Sequence, residues 1–220
     1  MSRAARLDHA TRQGQILEKA ARVFCERGYE KTSMGDVAAA VGMTKAGVYH
    51  HIAGKEDLLA AIMHYGMDLF EERVLSRTEP IADPLARLCA TVQGHLLLVL
   101  RDRPKEVTVI LHEGGALPAS ARARLDARKK RYIRFLEKTI RELVMRKVAR
   151  PVDPTVAAYA LLGMVNWTYQ WFRPGGRLDE EGLARQMTDF YLRGLLRDDA
   201  AAAEVGTGRR RGRRPARRIA

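Results

Sequence analysis

Cysteine is nearly absent from the 220-residue chain: Cys25 and Cys89 stand far apart with no second ligand beside either, which excludes a disulfide framework and leaves no zinc pattern. Long apolar runs are missing too. The longest aliphatic stretch, Leu96 to Leu100, is far too short to cross a bilayer, and the basic N-terminus with Arg3 and Arg6 leads into no apolar export segment. No alternating strand pattern persists. Nor is there a nucleophile with its base, a phosphate cradle or a metal set, because Gly114-Gly115 and Gly175-Gly176 lack the flanks of a P-loop or dinucleotide motif. These absences argue against an enzyme and for a cytoplasmic protein without metal, cofactor or membrane attachment.

Acid is the other deficit. Against 39 Lys and Arg stand 26 Asp and Glu, a formal net charge of +13, and clustered cations gain free energy by displacing counterions from phosphate. Seven of the arginines lie between Arg209 and Arg218 with no acid among them, so the tail exaggerates the total. Apolar residues make up 46% of the chain, enough for the core of one large domain or two small ones.

Helical periodicity organises most of what is present. Ile16, Ala20, Val23 and Phe24 recur on one face and Gly28 follows as a left-handed C-cap, which predicts a first helix over 11–27. Ser33 and Asp36 make a capping box ahead of Met34, Val37, Ala38 and Val41, a short helix closed by Gly42. Thr44 caps a third helix through Ile52, with Val48 and Ile52 inward and Lys45, Ala46, Tyr49 and His50 outward. Lys55, Glu56 and Asp57 open a fourth, a rod striped by Leu58, Leu59, Ile62, Met63, Leu69 and Phe70. Beyond Pro80 and Pro84, helices are expected over 85–101, 105–113, 119–148, 154–173 and 179–196. From Asp198 no periodic apolar residues remain to offset ordering entropy, so 198–220 is expected to be a disordered basic tail.

Helices two and three, joined by Gly42-Met43, have the layout of a helix-turn-helix, whose second helix enters the major groove. Thr32 and Ser33 offer hydroxyls and amides to phosphate at a helix N-terminus, and Lys55 adds a cation. Ala46 and Gly47 are small enough for the backbone to approach base edges, Lys45 can reach guanine acceptors, and Thr44 a base edge or a phosphate. His50 and His51 diverge as adjacent helical residues and cannot jointly chelate a metal.

Thr32-Ser33, Val37-Ala38, the unbroken run from Val41 through Ile52, and Lys55-Glu56-Asp57-Leu58 together resemble the TetR family of repressors. The resemblance implies an all-α fold of about nine helices: a helix-turn-helix DNA-binding domain over 1–54, a helical ligand-binding and dimerisation domain over 55–197, and the tail. It implies phosphate contacts from Tyr49, His50 and Lys55, with Thr44, Lys45, Ala46 and Gly47 nearest the bases. Ile52 stands where an aromatic is commoner. It further implies a homodimer joined through its last two helices, where Ala160, Gly163, Met187, Phe190 and Tyr191 are the interface candidates. Such a dimer reads two halves of a palindromic operator about 34 Å apart. A small-molecule inducer, held between helices 85–148 and 154–173, would release the DNA.

The segment from Gly163 to Leu178 is similar to regulators that answer acyl-CoA thioesters. Trp167 and Trp171 share a face and with Asn166 can wall an apolar pocket, although interface or core positions suit them equally. Arg131 and Arg134, in a helix crowded with Arg122, Arg124, Arg128, Lys129 and Lys130, can meet coenzyme A phosphates or form a solvated basic face. His112, before Gly114-Gly115, is a candidate polar pocket group with no third metal ligand at recognisable spacing. The competing expectation, a scaffold attached to anionic lipid by the arginine tail, lacks the apolar face such attachment needs. The tail suits a non-specific DNA clamp better.

Overall fold

The computed structural model describes residues 3–102, 105–112 and 116–197, with side chains over 12–101, 105–110 and 116–197. The expected basic tail 198–220 and the Gly114-Gly115 break lie outside the described residues. Nine principal helices are found within them: α1 Arg3–Arg27, α2 Met34–Val41, α3 Lys45–His51, α4 Lys55–Phe70, α5 Pro84–Leu97, α6 Lys105–His112, α7 Ala119–Met145, α8 Pro154–Asn166 and α9 Glu180–Leu195.

Local chemistry sets most of the boundaries. The Ser33 and Asp36 capping box starts α2, and Gly42, left-handed at φ 72°, ends it. Asp83 and Asp153 cap α5 and α8, each followed by a proline whose missing N–H costs nothing in a first turn. Asp179 caps α9 by accepting from the Gly182 amide at 2.6 Å. Two departures from regular helix were not foreseen. α4 runs on through a π segment, Glu71–Leu75, into a last turn Ser76–Thr78, and α5 runs into a second π segment, Leu98–Asp102.

Two further boundaries differ from expectation. α1 begins at Arg3, ahead of 11, because nothing in that polar stretch breaks a helix. The single helix expected over 154–173 stops at Asn166 and resumes as one turn, Thr168–Trp171, where the buried Thr168 hydroxyl donates back to the Val165 carbonyl at 2.7 Å.

The apolar faces close two cores. The first gathers Phe24 of α1, Val37 of α2, Val48 of α3, Leu58, Ile62 and Met63 of α4, Val109 and Ile110 of α6 and Leu125 of α7. The second gathers Phe70, Leu88 and Leu96 with Leu136 and Ile140 of α7, Leu161 and Val165 of α8 and Leu192 of α9. α4 therefore belongs to both, Leu58 to Met67 in one and Phe70 in the other. The core beneath the helix-turn-helix does not stop near residue 54 but is sealed by α6 and the start of α7.

Candidate DNA-binding surface and effector pocket

α3 is a seven-residue helix with one buried side chain, Val48, which anchors it while the rest points outward. Thr44 caps it, its Oγ1 accepting from the Gly47 amide at 3.1 Å. Lys45, Ala46, Tyr49 and His50 are exposed, and the Lys45 ammonium lies 6.0 Å from the centre of the Tyr49 ring. Gly47 is constrained: a Cβ there would stand 3.2 Å from Thr44 Oγ1 and 3.3 Å from Met43 Cε. Lys55 is half-buried and already placed, its Nζ donating to the Glu30 carbonyl at 3.2 Å and lying 4.2 Å from the Tyr29 ring centre. An ammonium has three donors, so this seat leaves it able to donate onward.

Thr32 and Ser33 are less available than expected. Thr32 is buried, its hydroxyl donating to the Gly28 carbonyl at 2.8 Å and its amide to the Tyr29 carbonyl at 3.1 Å. The Ser33 amide and hydroxyl both donate to Asp36 Oδ2, at 2.8 and 2.6 Å. These bonds hold the Asp36 carboxyl below its ordinary pKa, with Arg27 adding to the effect. The Thr32 groups are spent on the turn that closes α1, and the Ser33 groups on the cap of α2.

A cavity of about 290 Å³ opens between the two cores, where α4 passes from one to the other. Its walls are mainly apolar: Met67 and Phe70 of α4, Val107 and Ile110 of α6, Ile133 of α7 and Leu162 of α8. Gly66 lets α4 and α6 come together there, since a Cβ would sit 2.9 Å from Ile110 Cδ1 and 3.0 Å from the Glu106 carbonyl carbon. Three polar groups converge on this wall. His95 is 5% exposed, its Nδ1 is 3.1 Å from the Tyr132 hydroxyl, and it hydrogen-bonds with Asn166. Burial lowers the His95 pKa to about 4 and pushes the Tyr132 hydroxyl up, so both are neutral near pH 7. The Phe70 ring packs edge-on against both, 4.9 Å from His95 and 4.4 Å from Tyr132. Lys129 completes the lining, and burial lowers its pKa against the pull of Asp126.

Of the sequence-derived effector candidates whose side chains are described, the structure brings only Asn166 to this cavity. Trp167 and Trp171 are 62% and 50% exposed, and the helix is interrupted between Asn166 and Thr168. Arg131 is exposed and donates to Glu79 at 3.3 Å, and Arg134 is exposed. His112 closes α6 and its side chain lies outside the described residues. On the basic face of α7, Arg128 is committed to acids of the α4 run. Arg128 donates to Asp68 at 2.6 Å, to Glu71 at 3.0 Å and to the His64 carbonyl at 2.9 Å. His95 and Tyr132 were not singled out from the sequence, and Phe70 only as part of the apolar stripe of α4. A histidine abutting the longest aliphatic run, and a tyrosine inside a run of cations, were the signals that could have found them.

The interface candidates divide. Ala160, Gly163 and Phe190 are exposed, Phe190 at 78%, and Val156, Tyr159 and Trp167 join them as exposed apolar groups on the last two helices. Met187 is half-buried, and Tyr191 turns inward, its hydroxyl donating to the Ala157 carbonyl at 3.0 Å. An uncovered apolar face of that extent is a mark of an interface.

Comparison with known proteins bears on both surfaces. Residues 16–62 match the family model described as bacterial regulatory proteins, tetR family, and residues 82–195 match the tetracyclin repressor-like C-terminal domain. The crystal structure of AibR in complex with isovaleryl coenzyme A and operator DNA is similar, at 55% identity over 81% of this chain and 97% of that one, with a TM-score of 0.78. Apo AibR is similar over the same shares, at 54% identity and a TM-score of 0.75. The HTH-type transcriptional repressor KstR2 of Mycobacterium tuberculosis is 25% identical over 193 residues, covering 86% of this chain and 94% of its own length.

Proposed function

The chain belongs to the tetR family of bacterial regulatory proteins, and on that premise we propose that it is a homodimeric repressor whose grip on operator DNA is released when an acyl-CoA thioester fills the cavity against His95. The observation that carries this reading is the position of the cavity. It lies between the core that holds the recognition helix and the core that holds α8 and α9, and α4 runs from one to the other. α6 lines the cavity and packs on α1 as well, the Cys25 thiol donating to the Lys105 carbonyl at 3.6 Å. A ligand entering the cavity bears on both elements that seat the helix-turn-helix.

In this reading residues 1–54 are the DNA-binding domain and 55–197 the effector and dimerisation domain. Thr44 to Gly47 approach base edges and Tyr49, His50 and Lys55 hold phosphates. The acyl group lies on the apolar wall, and its thioester carbonyl accepts a hydrogen bond from the polar group of His95, Tyr132 and Asn166. Val156, Ala160, Gly163 and Phe190 meet their copies across a two-fold axis that spaces two α3 helices by about one duplex turn. Such a dimer works in the cytoplasm with no resident cofactor. Among the described residues no helix is long and apolar enough to cross a membrane and no cluster of metal-ligating side chains is found.

The switch is a linkage. A differential affinity of a few kcal/mol between the bound and free states suffices, and it is reciprocal, so operator DNA weakens effector binding by the same factor. The test is fluorescence anisotropy on labelled DNA from upstream of its own gene, with isovaleryl-CoA, longer acyl-CoA thioesters, free acids and coenzyme A added in turn. Displacement by an acyl-CoA and not by free coenzyme A is the expected result. Unchanged DNA affinity at saturating thioester would overturn the switch.

A further inference from the structure

A second cavity, of about 320 Å³, lies along the same two helices as the first and has the opposite chemistry. It is lined by Arg73, Arg77 and Arg101 with Gly94, Leu97 and Leu98. Two of the arginines sit in π segments, Arg73 in Glu71–Leu75 and Arg101 in Leu98–Asp102, and these are the π segments among the described residues. π segments are rare and gather at functional sites, and here two of them face one groove. Three guanidiniums around a leucine floor make a seat for phosphate, which arginine binds through paired donors. Arg101 is already paired with Glu181 of α9, a contact a phosphate would compete with.

The groove adjoins the acyl cavity. Phe70, which lines the first site, is one helical turn from Arg73 of the second, and His95, which lines the first, is one turn from Leu98 of the second. The operator is excluded as the source of the phosphate, because Arg73 stands about 27 Å along the helix from Lys55.

We propose that the groove of Arg73, Arg77 and Arg101 is a phosphate-binding subsite that holds the diphosphate end of an acyl-CoA effector whose acyl end lies against His95. This rests on the acyl-CoA reading above. The apolar cavity then selects the acyl group, and the groove distinguishes a coenzyme A thioester from the same acyl group on a shorter, uncharged carrier.

Calorimetric titration of the full chain with isovaleryl-CoA, isovaleryl-pantetheine and inorganic pyrophosphate tests it. The double variant Arg73→Gln, Arg77→Gln is expected to lose at least tenfold in affinity for isovaleryl-CoA while binding isovaleryl-pantetheine within about twofold of the parent. Glu181→Gln, which releases Arg101, is expected to bind isovaleryl-CoA several-fold more tightly. Equal losses for both thioesters, or no loss for either, would overturn the proposal. If the parent protein binds no thioester, the acyl-CoA reading fails, and pyrophosphate decides the groove alone: binding that the double variant loses sustains a phosphate site, and no binding ends it.

Discussion

His95 makes the stability of this protein depend on pH between about 6.5 and 4. Buried beside Phe70 and Tyr132, it has its pKa lowered from 6.5 to about 4, so the unfolded chain binds a proton there that the folded chain refuses. Above pH 6.5 neither state is charged and the residue costs nothing. As pH falls below 6.5 the unfolded state gains the proton, stability drops, and the loss levels off near pH 4. At about 1.36 kcal/mol per pH unit, the loss from this residue is about 2 kcal/mol between pH 8 and 5 and about 3 kcal/mol by pH 4. The assay is urea unfolding followed by far-ultraviolet circular dichroism at one fixed protomer concentration, for the parent and for His95→Gln. The variant starts from a different stability, so the informative quantity is the change in the gap between the two from pH 8 to 5. His64, whose pKa is also lowered, chiefly by burial, contributes to both proteins and cancels. Curves that stay parallel across that window would refute a neutral buried His95.

Further outcomes follow from the geometry. Gly66→Val should force α6 away from α4, because even a Cβ falls 2.9 Å from Ile110 Cδ1. A cost of about 1–3 kcal/mol in urea unfolding and a loss of thioester binding are expected. Arg128→Ala removes the bonds tying α7 to His64, Asp68 and Glu71 of the α4 run, and should leave DNA binding intact while reducing the effector's power to displace it, as read by anisotropy. Lys55→Gln should lower DNA affinity for all sequences and reduce the salt slope by about one, whereas Lys45→Ala should relax sequence preference at one base pair of each half-site. Phe190→Glu, on the exposed face of α9, should shift the protein to monomer in sedimentation and abolish operator binding with it.

The N-terminal unit was legible because its signals are local. Ser33 and Asp36, Gly42, and Thr44 with Gly47 each act within a few residues, and each forms the cap its spacing predicts. The same locality misled on Thr32 and Ser33. A hydroxyl at a helix N-terminus suits phosphate and cap alike, and here neighbouring carbonyl and carboxylate groups claim both residues. The effector candidates show the converse limit. Trp167 and Trp171 share a face only if the helix is unbroken, and it is interrupted at Trp167. Arg131 and Arg134 were sound partners for phosphate as residue types, but their place on α7 sets Arg131 against Glu79.

Composition, capping and the period of the apolar residues by themselves determined that the described residues fold into helices, with the layout of a helix-turn-helix at one end and an apolar pair of helices at the other. Each of those properties is settled over a few neighbouring residues or by their sum. Which residues meet in the cavity was decided by tertiary structure alone. His95, Tyr132 and Asn166 come from α5, α7 and α8, and no local preference relates residues so far apart in sequence. The same holds for Arg73, Arg77 and Arg101, which become one groove only when α4 and α5 pack together.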